Sequence, residues 1–156
     1  PYRVGHLIEI EGIMGYVQEI NVFNTRIVQL DNTRVVIPNG PLMNKNIRNL
    51  TEEGSVRVEL TVSVAYEEDL RNAIDVIKNI LKSDKRVLAN PEPIVGVAEL
   101  ADSGVVLFVR PYTKPRLYWD VHMSILEKVR TGLASADIKI PYPQRELTIK
   151  EGKLSN

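Results

Sequence analysis

The first fifty residues alternate apolar and polar positions in short runs that are interrupted by turn-forming residues. Strand-like runs occupy residues 6–10, 15–20, 25–30 and 33–38. Each link between them contains Gly, Asn or Asp, which tolerate positive φ. The pattern therefore predicts a small all-β domain of closely connected strands.

Strands with such short links cannot bury a common face in a flat sheet. The pattern predicts instead a small curled barrel of the SH3-like or Sm-like kind, which we expect over residues 1–52. A short last strand is expected at residues 47–50, and residues 51–54, "TEEG", are expected to form a hinge to a second domain.

The segment "IPNGP" after the fourth run predicts a corner from strand to helix. A hairpin turn centred on Asn39-Gly40 would be closed by the N–H of residue 41, and Pro41 has none. Pro38 ends the strand, and Asn39 is expected to cap the next helix. Gly40 is expected to take an unusual φ, and Pro41 fits the first turn of that helix.

One helical turn is expected over residues 41–46, with an irregular loop as the alternative. Asn44 and Asn46 can then pair with backbone groups of a neighbouring segment. The corner and these two residues are expected to take part in interdomain coupling.

Beyond residue 52 a long alternating run is followed by helical spacing, which predicts a second domain over residues 53–140. Its expected elements are a strand at 55–66, a helix at 67–85, strands at 93–100 and 104–112, and a helix at 116–138. The order β-α-β-β-α is that of the ferredoxin-like split βαβ unit. The chain as a whole is therefore expected to be α+β.

Apolar stripes predict which faces of these elements are buried. In the first strand, Val56, Val58, Leu60, Val62 and Val64 share one face. The first helix has a stripe of Leu70, Ala73, Ile74, Ile77, Ile80 and Leu81, with Glu67, Glu68 and Asp69 expected in its first turn. The second helix has a stripe of Tyr118, His122, Ile125, Leu126, Val129 and Leu133.

The tail over residues 141–156 begins with two prolines, Pro141 and Pro143, that force extended backbone. A strand is expected at 144–150 that leaves the domain rather than completing its sheet. Its alternating residues are Gln144, Glu146, Thr148 and Lys150 on one side and Leu147 and Ile149 on the other.

Composition removes several classes of function. The chain has 156 residues, no cysteine and two isolated histidines, so thiolate sites are excluded and a zinc site is not expected. Net charge is zero, and no segment concentrates positive charge as a phosphate-binding surface would. The longest apolar run, residues 104–109, is too short for a bilayer span. Because the sequence starts with Pro1 rather than Met, we expect it to be a piece of a longer protein.

No catalytic constellation is present, so neither an enzyme nor a cofactor is expected. His122 lies on an apolar helix stripe and is expected to be half-buried, whereas His6 is expected to be exposed at a strand start. Phe108 and Tyr112 could stack on RNA bases, but the basic and aromatic signature of such sheets is missing. Nucleic acid is therefore not an expected partner.

Five motifs carry a resemblance to a known family. The opening "PYRVGH", the run "GYVQEI" and "VVIPNG" resemble the β domain of small-conductance mechanosensitive channels of the MscS type. "VELTVSVAYEEDL" and "PYPQ" resemble the later α/β domain and tail of that family, so the resemblance covers essentially the whole chain. One departure is His6, where the family usually has Asp, which affects a local turn contact.

The resemblance implies a homoheptamer in a bacterial, archaeal or organellar membrane that opens under tension and releases ions and small osmolytes. The pore-lining helix would precede Pro1, which would make this chain the cytoplasmic cage of an inner-membrane channel. The tails would pair into a seven-stranded axial barrel, with Leu147 and Ile149 expected to face inward.

Two other functions stay open from the residues alone: an Sm-like or ferredoxin-like RNA-binding module, and a small-molecule sensor. Fold resemblance by itself does not choose between functions. A Gly/Ala-rich apolar helix encoded immediately before Pro1 would favour the channel.

Overall fold

The computed structural model describes residues 1–148, which form a mixed α/β fold. Its elements, in chain order, are β1 Leu7–Ile10, β2 Ile13–Ile20, β3 Asn24–Gln29, β4 Arg34–Pro38, α1 Asn39–Leu42, β5 Ile47–Asn49, β6 Val56–Arg57, β7 Leu60–Val64, α2 Leu70–Ser83, β8 Ile94–Leu100, β9 Val105–Arg110, β10 Tyr112–Thr113, a 3-10 turn at Pro115–Leu117, and α3 Tyr118–Ser135.

The N-terminal strands form one antiparallel sheet in the order β4-β3-β2-β1-β5. Because successive side chains along a strand point to opposite faces, every second one faces a shared apolar core, as the sequence predicted. Its buried members are Ile8, Ile10, Val17, Ile27 and Leu42. Gly15 lets two strands approach closely, because a Cβ there would lie 2.6 Å from the Val28 carbonyl oxygen.

The second sheet has the order β7-β9-β8, so β9 lies between the two strands that precede it and pairs antiparallel with both. Helices α2 and α3 pack against each other, and their apolar faces share one core with the sheet. At the contact between the helices, a Cβ at Gly132 would lie 2.4 Å from the Ile80 Cδ1 atom.

Two details of the second domain differ from the sequence prediction. Residues 55–66 do not form one strand, because β6 pairs with β10 whereas β7 pairs with β9. The predicted inward residues Val56, Val58, Leu60 and Val64 are nevertheless buried. Helix α2 begins only at Leu70, since Asp69 is its N-cap and accepts hydrogen bonds from the Arg71 and Asn72 amides.

The buried face of α3 is rotated relative to the predicted stripe. The fully buried residues are Val121, Ile125, Val129 and Leu133, whereas Leu126 is exposed and His122 is half-buried. The sequence could not separate these neighbouring stripes, because Leu126, Met123 and Trp119 form a second apolar row on the exposed side.

The start of the tail is described through residue 148, and residues 141–148 are neither helix nor strand. Pro141 packs beside Gly104, and the Gln144 amide donates to the Ser103 hydroxyl at 3.2 Å. Ile149 and Lys150 lie outside the described residues, so the tail strand stays a prediction.

Among the helices in the described part of the chain, none combines the length and apolar character that crossing a bilayer demands.

Candidate functional site at the strand-to-helix corner

The predicted corner is present, and Asn39 holds it. Strand β4 ends at Pro38, and Asn39 is the first residue of α1. The Asn39 amide N–H donates to the Phe23 carbonyl at 2.9 Å, and its side-chain nitrogen donates to the Asn21 and Val22 carbonyls at 2.7 and 3.1 Å. One residue therefore ties the corner to the whole β2–β3 turn.

A buried hydroxyl extends this network to the chain start. Thr25, fully buried on β3, donates to the Asn39 side-chain oxygen at 2.8 Å and lies 2.9 Å from the Tyr2 hydroxyl. Because Thr25 has one proton and gives it to Asn39, Tyr2 must donate to Thr25. The chain Tyr2–Thr25–Asn39, which we call the corner network, links the N-terminal segment to the β2–β3 turn.

Sequence reasoning found Asn39 but not Thr25 or Tyr2. The available signal was polarity: Thr25 shares the inward face of β3 with Ile27, and a hydroxyl in such a position needs a buried partner. Which partner it meets depends on the register between β3 and β4.

Two expectations for the corner are wrong. Asn39 is not the N-cap, since Pro38 occupies that position and the Asn39 side chain turns back to the β2–β3 turn instead. Gly40 is not in the left-handed region and has open space around its Cβ position. The helical turn also ends earlier than predicted, at Leu42.

Pro41 lies in α1 and is exposed, as is Asn44, while Asn46 is also at the surface. Asn44 and Asn46 line a shallow surface depression of about 460 Å³ together with Glu9, Glu11 and Arg48. Within residues 1–148 their side chains make no hydrogen bond to a neighbouring segment.

An exposed apolar tip lies next to the corner network. Val22 and Phe23, whose carbonyls accept hydrogen bonds from Asn39, have side chains that are 84% and 82% exposed, and Met43, the residue after α1, is 87% exposed. Three large apolar side chains therefore reach solvent beside the corner network.

The linker between the domains is held by Asn49 at the end of β5. Its side-chain nitrogen donates to the Pro1 carbonyl and lies 3.0 Å from His6 Nδ1, while its oxygen accepts from the Thr51 and Glu52 amides. His6 is therefore mostly enclosed rather than exposed as predicted, because Asn49 and Glu52 pack around its ring.

A cavity of about 520 Å³ lies where the two domains meet, lined by Met14, Leu50, Val56, Tyr112 and Tyr118, among others. Burial raises the pKa of Tyr118, and the nearby Glu59 carboxylate adds to the rise.

The charged groups at this cavity form ion pairs with one another. Arg48 pairs with Glu9, while Arg57 and Arg110 share Glu59. Because each of these arginines already contacts a carboxylate, we interpret the cavity as a joint between domains.

One further titratable cluster fixes the second domain. The Asp84 carboxylate accepts from the Arg86 guanidinium at 2.6 and 2.9 Å and from the Lys128 ammonium at 2.8 Å. Hydrogen bonds from Arg86 hold the pKa of Asp84 far below its usual range. Arg86 also donates to Ser124, so the cluster joins the end of α2 to α3.

The described residues contain no cluster of His, Asp or Glu able to hold a metal ion, and no buried side-chain polar atom among them lacks a partner. The corner network, the linker and the Asp84 cluster thus all serve to position parts of the chain.

Comparison with known proteins agrees with this picture. Residues 1–52 match the family model for the mechanosensitive ion channel β-domain, and residues 58–140 match that for the MscS C-terminal domain. An MscS family protein of Buchnera aphidicola is 37% identical over 155 residues, 97% of this chain and 54% of the relative. A small-conductance mechanosensitive channel of Edwardsiella ictaluri is 29% identical over 147 residues, 94% of this chain and 51% of the relative.

The crystal structure of Helicobacter pylori MscS in its closed state superimposes with a TM-score of 0.88 at 26% identity, covering 97% of this chain and 60% of that one. The chain belongs to the MscS family of mechanosensitive ion channels. It spans about half the length of the curated relatives it matches.

Proposed function

We propose that this chain is the cytoplasmic vestibule of a tension-gated channel that releases ions and small osmolytes under hypoosmotic shock. The observation that carries the proposal is the consecutive match of the β-domain and C-terminal models over residues 1–52 and 58–140. Because the curated relatives are about twice as long, the membrane-spanning part is proposed to lie in the remainder of the complete protein, in an inner membrane.

The strand orders support a finer description of the two domains. The order β4-β3-β2-β1-β5 suits an Sm-like β domain over 1–52, and the position of β9 between β7 and β8 suits a ferredoxin-like domain over 53–140. The proposed tail, 141–156, then leaves the second domain as the axial barrel strand.

The proposed assembly is a homoheptamer through which ions and small osmolytes pass. A net charge of zero is compatible with a vestibule that admits both signs of ion. Enzymatic activity is not proposed, since the family is one of channels.

The exposed sheet face gives little support to RNA binding. The Arg110 guanidinium lies 4.3 Å from the centre of the Phe108 ring, and the ring edge lies over Gly96. This arrangement fills a position on which a base would stack.

The corner is proposed to transmit movement between the membrane part and the vestibule. The corner network fixes the β2–β3 turn rigidly, while Asn44 and Asn46 offer side-chain amides at the surface. Rigid support behind exposed polar and apolar groups suits a contact that must transmit force.

The experiment expresses the complete protein in bacteria that lack their own mechanosensitive channels. We expect survival of osmotic downshock and a tension-activated conductance in patch recordings. Absence of both, with the protein in the membrane, would contradict the proposal.

A double variant tests the proposed coupling role of the corner. Asn44→Ala with Asn46→Ala should change gating tension or inactivation, whereas Asn79→Ala on the exposed side of α2 should not. Recordings of the double variant that match the parent would count against coupling through this corner.

A further inference from the structure

The corner contains Asn39-Gly40, the one Asn-Gly pair in the 156 residues. In an unfolded chain such a pair deamidates more readily than other pairs that begin with asparagine, because glycine has no side chain to shield its backbone nitrogen. Every other asparagine precedes a residue with a side chain or ends the chain. The asparagine that is most reactive by sequence is therefore also the residue that holds the corner together.

Deamidation of this pair passes through a cyclic imide. The Gly40 backbone nitrogen gives its proton to a base and attacks the Asn39 Cγ atom, which forms a new C–N bond. The Cγ–Nδ2 bond then breaks, and the side-chain nitrogen leaves as ammonia. Water opens the five-membered ring at either of its two carbonyls, so an aspartyl or an isoaspartyl residue results at position 39. Water is the only co-reactant that the overall reaction consumes.

Three hydrogen bonds oppose this reaction at the side chain. The Asn39 Nδ2 atom donates to the Asn21 and Val22 carbonyls at 2.7 and 3.1 Å, and its Oδ1 atom accepts from the Thr25 hydroxyl at 2.8 Å. Both amide protons and the amide oxygen are thus engaged. Ammonia cannot leave without breaking the two bonds that Nδ2 donates, so the corner network must open before the imide can form.

The backbone opposes the reaction as well. Asn39 is the first residue of α1, and its N–H donates to the Phe23 carbonyl at 2.9 Å. Closure of the imide ring needs the Asn39 Cβ atom and the next nitrogen to eclipse each other about the Cα–C bond, and a helical ψ keeps them apart.

Steric crowding does not contribute to this protection. Gly40 is exposed, and apart from its chain neighbours no atom lies within 4 Å of the position that a Cβ would take there. Solvent therefore reaches the attacking nitrogen. The hydrogen bonds of Asn39 and its helical backbone are what separate the reactive groups.

Neither product can rebuild the corner. An aspartyl side chain has an oxygen in place of Nδ2, and an ionised carboxylate has no proton to donate to the Asn21 and Val22 carbonyls. An isoaspartyl residue also lengthens the main chain by one atom at the start of α1. Both products leave two carbonyls of the β2–β3 turn without their side-chain donor.

We propose that Asn39 is a protected deamidation site. The corner network suppresses a modification that the sequence favours, opening of the network permits it, and the modified corner no longer closes in its original form. Deamidation would therefore record, covalently and irreversibly, that the corner has opened. This protection does not depend on the proposed channel role, because it concerns only the chemistry of Asn39 and its hydrogen bonds.

The test measures deamidation by peptide mass spectrometry in the complete protein during long incubation at neutral pH. Trypsin cleaves after Arg34 and Lys45, so one peptide carries Asn39 together with the exposed Asn44 as internal reference. The synthetic peptide 35–45 is the unfolded standard. Asn39 should convert at least tenfold more slowly in the protein, since three hydrogen bonds must open and each contributes about a factor of five. Asn44 should differ much less between the two samples.

The products identify the route. The peptide should yield both aspartyl and isoaspartyl forms at position 39, as an imide intermediate requires. Conversion of Asn39 in the folded protein as fast as in the peptide would show that the network gives no protection, and the proposal would be wrong.

Variants separate local opening from general loss of stability. Thr25→Val removes one bond to Asn39 and should raise its deamidation rate in the folded protein by about fivefold. Gly15→Ala strains the same sheet at Val28 and leaves the network intact, so it should not change the rate. Equal acceleration by both would show that deamidation follows unfolding of the domain, which contradicts protection by the network. If Thr25→Val does not fold, Tyr2→Phe disturbs the other end of the network and should act in the same direction.

The effect of the modification is measured on the product itself. Asn39→Asp should speed amide hydrogen exchange in the β2–β3 turn by at least about tenfold, because two hydrogen bonds are lost. Asn44→Asp adds the same charge nearby without touching the network and should leave that exchange unchanged. Exchange in Asn39→Asp that matches the parent would show that the modified corner closes normally and would overturn the irreversible step.

Discussion

Thr25 shows how much a single hydroxyl can determine at the residue scale. It is fully buried, yet both its neighbours in the corner network depend on it: Tyr2 donates to it, and it donates to Asn39. Asn39 in turn holds the β2–β3 turn. The geometry of the candidate coupling surface thus depends on the Thr25 side chain in β3.

Thr25→Val should reduce the free energy of unfolding by about 1–3 kcal/mol, because the isosteric change leaves buried polar partners unsatisfied. Urea denaturation of the chain measures the effect. Thr131→Val, at an exposed position of α3, is the control and should change stability by less than about 0.5 kcal/mol. Equal effects of the two variants would show that the corner network contributes nothing to stability.

Gly40 and Gly15 make a second pair at this scale. Gly40 does not have a positive φ, and its Cβ position is open apart from its chain neighbours, but Pro41 follows it. Helix propensity favours Ala there while the steric restriction on a residue before proline opposes it, so Gly40→Ala should change stability by less than about 0.5 kcal/mol. Gly15→Ala should destabilise by more than about 1 kcal/mol, because its Cβ would meet the Val28 backbone. Melting temperatures check both, and the reverse order would contradict this account.

At the scale of elements, the Asp84 cluster joins α2 to α3. Its carboxylate is almost fully enclosed and accepts from Arg86 and Lys128, whereas both cations are partly solvated. The two helices are thereby tied at one end by charge and along their length by apolar contact, as at Gly132.

The lowered pKa of Asp84 fixes the sign of a pH effect. The folded state holds the carboxylate ionised while the unfolded state protonates near pH 4, so the stabilisation is complete above about pH 5 and is lost as pH falls further. Asp84→Asn should cost about 1–3 kcal/mol at pH 7 and flatten the decline in acid. Denaturation at pH 7 and pH 3 measures both, with the exposed Asp75→Asn as control. An unchanged acid profile would contradict the assignment.

At the scale of the whole molecule, the proposed assembly concerns the tail. In one copy, Leu147 is 84% exposed and residues 141–148 pair with no strand. A lone strand leaves both its edges open, and closure into a barrel by several copies would satisfy them.

The tail prediction concerns the inner face of the proposed seven-stranded barrel. Leu147→Lys with Ile149→Lys should break it and lower the thermal stability of the assembly, because stacked like charges cannot be solvated in a narrow lumen. Glu146→Lys with Thr148→Lys places the same lysines on the other face and should be milder. If the first double variant keeps the parent melting temperature and oligomeric state, the barrel or its proposed inner face is wrong.

The sequence alone determined the order and type of most elements. Alternation and helical spacing depend only on neighbouring residues, so the strands of the first sheet, the two long helices and the inward face at Val58 and Leu60 could be predicted. The prolines around Asn39 likewise excluded a hairpin, because a missing N–H is a local property.

Only the tertiary structure decided which distant groups meet. The Asn39 side chain donates hydrogen bonds to carbonyls 17 and 18 residues away, and the register of β3 with β4 determines those contacts. The buried row of α3 and the enclosure of His6 by Asn49 were settled in the same way. Local sequence fixes the direction of a side chain relative to its own backbone, whereas its partner depends on how separate elements pack.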